Sequence, residues 1–550
     1  MASRTEHARY RFGPLERRGL IAGWRGGQVA VVTTSMVVAV GLLRAQRPPL
    51  DLVTALAAVL LGVGAATWPI GGRTADQWCP VVVAWAVRLL SGQHRHVSSG
   101  PCLGGRAALV PGVAIGQTRS RGARCDLPAA LRGCRLLSPP SAAGGLTLGV
   151  IHDARARTYT GVLAVSGTAF ALLEPDERHR RVAAWSALLA SFAREGSPVH
   201  RLQWVERDLP GEPSELARQM SSRMVVPTDE PAARSYAEVV ERAGRLARSH
   251  QVLLALSIRA DRSTREIRAF GGGDEGACAL VAREVRALQS ALFGAEVLVQ
   301  GALSPRTLAS ALRQAIDEWP LSTRPSPEAS APAAQVSGPP HASRVSDTHS
   351  TRDAERWTLA GLGATGKAED RDTGPRSQPG WPWPLASQTT WATHRTGATW
   401  HATYWVAEWP RVDVGPDFLS PMLLSSGVRH TMAVTMEPIS PLKAARDVQQ
   451  ARTADLADAE IRRRGGFLTS ARRGREAQAV TQREVELADG HAEYRFSGYV
   501  TVTAPSPDAL DADCIRIEHA AGQARLELRR LYGQQDEAFT WTLPLGRGLS

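Results

Sequence analysis

The chain has 550 residues, of which 43% are hydrophobic and 21% are charged, and its formal net charge is +12. At about 100 to 200 residues per domain this length allows several folded domains, and the composition excludes a wholly disordered or a collagen-like chain. Lysine occurs only at Lys367 and Lys443, so arginine supplies nearly all of the positive charge. Because this bias accompanies abundant alanine, glycine and proline, it is typical of a GC-rich coding sequence and weak evidence for nucleic-acid binding.

The cysteines show no spacing that indicates a metal or redox site. They are Cys79, Cys102, Cys125, Cys134, Cys278 and Cys514. No pair has the two-residue gap of a zinc knuckle or a redox motif, and His94 and His96 ahead of Cys102 complete no common zinc finger. We therefore predict free thiols in a reducing compartment, with no metal and no cofactor.

Two apolar stretches near the N-terminus predict a transmembrane helical hairpin over residues 28–72. Residues 29–43 and 50–70 are almost entirely apolar, and a short turn with Pro48 and Pro49 separates them. At 1.5 Å per residue the second stretch spans the roughly 30 Å hydrocarbon layer, and the first reaches it if residues 26–28 are included. Two consecutive spans without a small-residue cleavage site predict that the hairpin is retained and not removed as a signal peptide.

The basic residues around the first span predict its orientation. The tail over residues 1–27 carries Arg4, Arg9, Arg11, Arg17, Arg18 and Arg25. The turn between the spans has only Arg44 and Arg47. Since cytoplasmic flanks carry the excess of arginine and lysine, we predict a cell-membrane protein with two spans and both termini in the cytoplasm.

Residues 73–104 are predicted to form an interfacial helix and a connector. Residues 78–90 are apolar but too short to cross a bilayer, and Arg88 lies within them. A helix on the membrane surface beneath the hairpin fits this pattern. A helix buried in the first soluble domain is the alternative.

A first α+β domain is predicted over residues 105–320. Alternating apolar residues predict strands at 146–153, 158–165, 199–207, 251–259 and 296–299. Helical spacing predicts helices at 176–192, 236–249 and 276–292. Mixed strands and helices in this order are typical of a helix-covered sheet.

A flexible linker is predicted over residues 321–384, because this stretch is rich in proline and has few large aliphatic residues. The second α+β domain, residues 385–550, follows it. We predict its strands at 398–409, 428–437, 493–504 and 526–530, and its helices at 442–464, 477–488 and from Ser506 to Gly522. The predicted fold class is therefore α+β: a two-helix transmembrane hairpin followed by two ferredoxin-like cytoplasmic domains.

No motif in the sequence supports a catalytic site. Residues 361–368 match the glycines and lysine of a P-loop, but Ala368 replaces the magnesium-binding hydroxyl and neither flank can form a core strand or helix. The glycines of residues 271–276 fit a turn, and His152 with Asp153 lacks a nucleophile elbow. Asp508, Asp511 and Asp513 begin a helix, where carboxylates complement its dipole. We predict no catalytic, cofactor-binding or metal-binding residues and no enzymatic activity.

A group of tryptophans lies at the end of the linker and the start of the second domain. Its members are Trp381, Trp383, Trp391, Trp400, Trp405 and Trp409. Core packing is the favoured interpretation, because Trp405 alternates with its strand neighbours, and stacking on nucleotides or a partner peptide is the alternative.

Three segments carry a resemblance to a known family. They are YRFGPLERRGLIAGW at residues 10–24, the run from TYTGVLAV to LQWVER at residues 158–207, and ARLELRRLYGQQDEAFTWTLPLGRGL at residues 524–549. Together they resemble an actinobacterial conserved membrane protein family found with PrgI-type proteins and conjugation ATPases, in type IV secretion-like clusters. The resemblance covers nearly the whole chain and is weakest in the linker.

This resemblance implies a non-catalytic inner membrane scaffold that anchors and docks a separate ATPase. In conjugation ATPases a segment like residues 532–548 precedes the motor domain, and the present sequence stops at Ser550, where that motor would begin. The implied partners are a conjugation-type ATPase, a PrgI-like small membrane protein, the lipid bilayer and further copies within a larger complex. A type VII secretion core subunit similar to EccE is one alternative, and a membrane-tethered nucleic-acid-binding protein is the other.

Overall fold

The structure, a computed structural model, describes eleven stretches of the chain. They are residues 26–44, 50–69, 71–98, 127–139, 147–167, 173–210, 230–246, 248–316, 383–425, 427–465 and 471–549. The predicted N-terminal tail, most of the predicted linker and the P-loop-like residues 361–368 lie outside these ranges, as do Cys102, Cys125 and Trp381.

Three helices form the N-terminal part: α1 (Gly26–Leu43), α2 (Leu50–Thr67) and α3 (Ala75–Leu90). Of the helices in the described ranges, only α1 is both long and apolar enough to cross a membrane, and the apolar part of α2 is shorter. The two lie side by side: the Gln28 side chain donates to the Ala66 carbonyl at 2.7 Å, and Gly62 faces Ser35 with no room for a side chain. The second span of the predicted hairpin stays a prediction.

The remaining elements build an α+β fold with one large antiparallel sheet. The strands are β1 (Arg95–Val97), β2 (Cys134–Leu137), β3 (Val150–Asp153), β4 (Thr158–Ser166), β5 (Val199–Pro210), β6 (Arg248–Arg259), β7 (Leu298–Ala302), β8 (Ala386–Thr389), β9 (His394–Thr396), β10 (Thr399–Glu408), β11 (Arg429–Ile439), β12 (Glu493–Ala504) and β13 (Glu527–Arg530). The helices are α4 (Pro175–Phe192), α5 (Pro231–Leu246), α6 (Thr264–Ala269), α7 (Gly273–Gly294), α8 (Pro305–Ile316), α9 (Ser420–Leu423), α10 (Pro441–Gly465), α11 (Ala471–Ala488), α12 (Pro507–Gln523) and α13 (Gln535–Trp541).

All of these strands belong to a single sheet. Its order is β1-β8-β9-β10-β12-β11-β5-β6-β4-β3-β2, with β13 also paired to β10 and β7 to β4. The strands of the two predicted soluble domains meet where β5 pairs antiparallel with β11, from Thr431 opposite Arg207 to Met436 opposite Leu202. Two separate ferredoxin-like domains are therefore not confirmed, because edge-to-edge pairing makes their strands one continuous ladder.

The two faces of the sheet are covered differently. On one face α4 and α7 pack against the first half, and α12 packs against the second half. On the other face α8 and α13 contribute to the apolar core, together with Leu543 and Leu545 near the C-terminus. Because alternate residues of a strand point to opposite faces, the second set of strand residues is available to the C-terminal part of the chain.

Candidate functional site

The segment over residues 533–549, called the terminal segment below, lies on the sheet face opposite α4, α7 and α12. It contains α13 and the following residues 542–549, and most of its side chains are buried. It overlaps the third of the three segments that carry the family resemblance. Its contacts reach strands from both halves of the sheet. The terminal segment is therefore a resemblance-carrying segment with defined contacts to both halves of the sheet.

Gln203 of β5 is the central contact of the terminal segment. Its side chain is fully buried, and its amide nitrogen donates to the Trp541 carbonyl at 2.7 Å and to the Leu543 carbonyl at 3.0 Å. Its amide oxygen accepts from the Gly546 backbone nitrogen at 2.7 Å. A single strand side chain thus satisfies three backbone groups of a segment that has no regular partner strand there.

Charged and hydroxyl side chains add further hydrogen bonds to the terminal segment. Arg201 donates to the Gly546 carbonyl at 3.0 Å and to the Glu437 carboxylate of β11 at 2.9 Å, so it joins the terminal segment to both halves of the sheet. Thr160 of β4 donates to the Leu545 carbonyl at 3.3 Å. The polar face of the central strands therefore binds the terminal segment through direct hydrogen bonds.

The second half of the sheet binds the start of the terminal segment through Gln535. The Gln535 side chain accepts from the Thr403 backbone nitrogen at 2.8 Å and donates to the Thr403 carbonyl at 3.1 Å. It thereby bonds to β10 as a neighbouring strand would. Thr501 of β12 meets Thr542 through their hydroxyls at 2.8 Å.

Arg547 ties the far end of the terminal segment to β2 and β3. It donates to the Asp153 carboxylate at 2.8 Å, to the Ala130 carbonyl at 2.5 Å and to the Cys134 sulfur at 3.0 Å. Burial raises the pKa of the Cys134 thiol to about 11, so this thiol stays protonated and is a poor nucleophile at neutral pH. The contacts of Arg547 therefore have a structural role: they fix the far end of the terminal segment to β2 and β3.

The terminal segment is also connected to the apolar helices through α3. Arg88 donates to Asp536 at 2.8 Å, to Glu537 at 2.7 Å and to the Gly533 carbonyl at 3.3 Å. Beside this ion pair Trp391 stacks on Trp78 with ring centroids 6.0 Å apart. Helix α3 is thus bound to the terminal segment by charge, and it packs on Trp391, whose carbonyl accepts from the Gly533 nitrogen at 2.7 Å.

The sequence-predicted candidates for chemistry are kept apart by the fold. His152 stacks on Tyr159 with ring centroids 4.4 Å apart, and burial lowers its pKa, so the ring is neutral at pH 7. Asp153, the next residue, points to the opposite face of the strand and binds Arg547. The two side chains do not form an acid/base pair.

Within the glycine-rich residues 271–276, Gly271 and Gly272 form a turn between α6 and α7, and α7 begins at Gly273, so the predicted turn is confirmed for its first two residues. Gly271, Gly272 and Gly273 all have positive φ angles. Gly276 lies so close to the Ile267 carbonyl that a side chain would collide with it. The run therefore serves close helix packing.

The aspartates near α12 and the described tryptophans have packing or capping surroundings. Ser506 caps α12 by accepting from the Ala509 nitrogen at 3.2 Å, and Asp513 pairs with Arg516. Trp383 is buried in the core beneath α8, and Trp409 meets Phe496 edge to face at 5.3 Å. Core packing fits these tryptophans. Within the described ranges, no group of three or more histidine, cysteine or acidic side chains could hold a metal ion.

The residues that bind the terminal segment were not predicted from the sequence. Arg201 and Gln203 alternate with apolar neighbours in β5, a pattern that indicates a solvated face. The signal that could have found them is the polar face of the neighbouring strands, which is rich in threonine: Thr160, Thr403, Thr435, Thr501 and Thr503. Small hydroxyl residues, unlike charged ones, can be buried once they have hydrogen-bond partners.

No protein-family model matches the chain, and no curated protein is similar to it. A function is therefore inferred from the geometry of the terminal segment and from the family resemblance of the three sequence segments.

We expect Arg88→Ala to loosen the contact between α3 and the terminal segment by about 2 kcal/mol, because it leaves the buried Asp536 carboxylate without this partner. Hydrogen exchange of the detergent-solubilised full chain should become faster in both α3 and α13. Arg463→Ala is the control, since Arg463 forms only an exposed pair with Glu460 and such pairs contribute little. Unchanged exchange in α3 would contradict the link.

Proposed function

We propose that this protein is a non-catalytic membrane scaffold of a conjugation or type IV secretion-like apparatus, and that it anchors and docks a separate ATPase. The proposal includes two membrane spans, α1 and α2, with both termini in the cytoplasm. Its membrane part is supported by α1, whose length and apolar composition suffice for a span. Its orientation is supported by the arginines in residues 1–27.

The observation that carries the proposal is the double attachment of the terminal segment. The segment that resembles the approach to an ATPase motor domain is bound by Gln203 and Arg201 at the junction of the two sheet halves. Arg88 binds the same segment to α3, which follows the apolar helices directly. A docking scaffold needs such an arrangement, because it must hold its docking segment at a defined position relative to the bilayer.

The resemblance and the fold support each other at a second point. Residues 158–207, another resemblance-carrying segment, form β4, α4 and β5. Thr160, Arg201 and Gln203 in this segment contact the terminal segment directly. Two stretches that are far apart in the sequence and that resemble the same family thus form one structural unit.

The test is affinity purification of the tagged full chain from its own host membranes after chemical cross-linking, followed by mass spectrometry. We expect the wild type to recover an ATPase with a P-loop motor domain and a PrgI-like small membrane protein. Arg88→Ala should lower the recovery of the ATPase several-fold, while Arg463→Ala should leave it unchanged. Cross-linked samples without any ATPase would overturn the proposal.

The same experiment separates the two alternatives. Recovery of type VII secretion components would favour an EccE-like core subunit. A membrane-tethered nucleic-acid-binding protein would instead bind single-stranded DNA with an affinity that falls steeply as salt is added, because phosphate contacts release counterions. We expect neither result.

A further inference from the structure

Helix α3 has two distinct faces, and one of them is fixed to the soluble part of the protein. Trp78 and Trp85 pack on Trp391, with ring centroids 6.0 and 5.9 Å apart. Val81 is buried, and Arg88 binds Asp536. These positions recur every three or four residues and define one side of the helix.

The other face of α3 is apolar and exposed. It consists of Cys79, Val82, Val83, Ala86, Val87 and Leu90. Val83 and Val87 are each 57% exposed, and Leu90 is 89% exposed. A continuous apolar stripe on a helix whose opposite side is already packed is unusual for a surface in contact with water.

We infer that the exposed face of α3 lies in the surface of an anionic lipid bilayer, so that α3 fixes the sheet against the membrane. This inference deepens the proposed function and depends on its membrane anchor, but not on the ATPase. The occupant of this face is lipid because α3 begins at the N-terminal end of the candidate membrane span.

The start of α3 coincides with the end of the candidate membrane span. Gly27 at the start of α1 lies against Asp76 in the first turn of α3, and Gln28 binds the last turn of α2 at Ala66. If α1 crosses the bilayer, this point is where the chain leaves the hydrocarbon layer, and α3 continues along its surface. Trp68, 73% exposed between α2 and α3, is of the residue type enriched at that depth.

Two arginines lie beside the start of α3, Arg73 just before the helix and Arg529 on β13, and they fit anionic headgroups. Arg73 lies over the Trp78 ring at 5.4 Å, and Arg529 donates to the Gly72 carbonyl at 2.8 Å. Burial lowers the pKa of Arg73, and so does the nearby positive charge of Arg529, which itself pairs with Glu527 at 2.7 Å. An anionic lipid phosphate would stabilise the charged form of Arg73 at this place.

The apolar face can be tested with a fluorophore on the native Cys79. In a variant with Cys102→Ser and Cys125→Ser, Cys79 is the exposed cysteine, whereas Cys134, Cys278 and Cys514 are buried. The labelled full chain is reconstituted into vesicles of phosphatidylcholine and phosphatidylglycerol. We expect a blue-shifted emission, quenching by a spin-labelled lipid, and a smaller blue shift for Arg73→Gln or in vesicles without phosphatidylglycerol.

Matched variants distinguish lipid burial from general changes in the fold. Val83→Ser with Val87→Ser should shift the equilibrium between lipid-seated and water-exposed α3 toward water by about tenfold or more. Ile515→Ser is the control, because Ile515 is 70% exposed on α12 and should leave the Cys79 emission unchanged.

A second label reports on the anchor itself. Val37→Cys places a fluorophore on the exposed side of α1. Lipid quenching at position 37 with water-like emission at Cys79 would overturn the inference and leave the proposed anchor intact. Blue-shifted emission at Cys79 that no spin-labelled lipid quenches would also overturn it, because a protein surface would then cover the face. Water-like emission at both positions would remove the inference together with the anchor.

Discussion

Replacing Gln203 with leucine should detach the terminal segment from the sheet. Leucine is similar in size but leaves the carbonyls of Trp541 and Leu543 and the nitrogen of Gly546 without their buried partner. Each buried polar group that loses its hydrogen bond costs about 1–3 kcal/mol, so we expect the free energy of opening of this segment to fall by about 4 kcal/mol. This exceeds the cost of an ordinary surface substitution by a wide margin.

Hydrogen exchange read from peptides over residues 541–549 measures this opening. A loss of about 4 kcal/mol corresponds to exchange that is faster by about three orders of magnitude, unless it reaches the rate of the unprotected chain. Gln482→Leu is the matched control, because Gln482 is exposed on α11 and bonds only to Glu486. If the Gln203→Leu and Gln482→Leu variants show the same exchange rate in these peptides, the hydrogen bonds of Gln203 do not hold the terminal segment on the sheet.

Local structure was predictable where one face of an element is buried and the other is not. Alternation in residues 199–207 and 493–504 predicts strands, and β5 and β12 confirm them. The Ser506 cap and the helix that follows it were also readable, because a side-chain acceptor before an apolar spacing marks a helix start. The helix α13 was not predicted, since it is short and its stability comes from its contacts with the sheet.

The pairing of distant strands could not be read from the sequence. Alternation shows that β5 and β11 each have two different faces, but it carries no information about which strand lies beside which. Met436 of β11 and its partner Leu202 of β5 are 234 residues apart in the sequence, so two closed domains are the simpler prediction, and the observed single sheet differs from it. No pattern within either strand encodes a partner at that distance.

The sequence favours an interfacial helix at residues 78–90, and a helix buried in the first soluble domain is the alternative. Its apolar residues predict a helix that avoids water, and Arg88 within them argues against a span. The structure gives the helix one face on Trp391 and Asp536 and one exposed apolar face. The sequence could not separate the two faces, because both are apolar and the aromatic partner Trp391 is distant in the chain.

Lowering the pH from 6.5 toward 4 should release α13 from the sheet. Burial lowers the pKa of His394 to about 4, and burial together with the neighbouring His394 holds the pKa of His401 well below its ordinary value. Both rings pack on Phe539 of α13, with ring centroids 5.4 and 4.4 Å away. Protonation of either ring would place an uncompensated charge in this buried contact.

The direction of the pH effect follows from the pH at which the folded and the unfolded chain each bind a proton. The unfolded chain protonates a histidine near pH 6.5, whereas the folded chain keeps His394 neutral until about pH 4. The stabilisation is therefore complete above pH 6.5 and is lost as the pH falls through the folded pKa. At about 1.4 kcal/mol per pH unit for one group, His394 alone should account for about 3 kcal/mol over this interval.

His394→Gln isolates this contribution, because glutamine cannot titrate and the comparison concerns the slope with pH and not the absolute stability. We expect the pH dependence of α13 exchange between pH 6.5 and 4 to become shallower by about the amount assigned to one histidine, with His401 supplying what remains. The exposed His491→Gln is the control and should leave the slope unchanged, since its ring meets water in the folded and unfolded chain alike. An identical slope in wild type and His394→Gln would mean that titration of His394 does not control the attachment of α13, which would then depend on other contacts such as those of Gln535, Gln203 and Arg88.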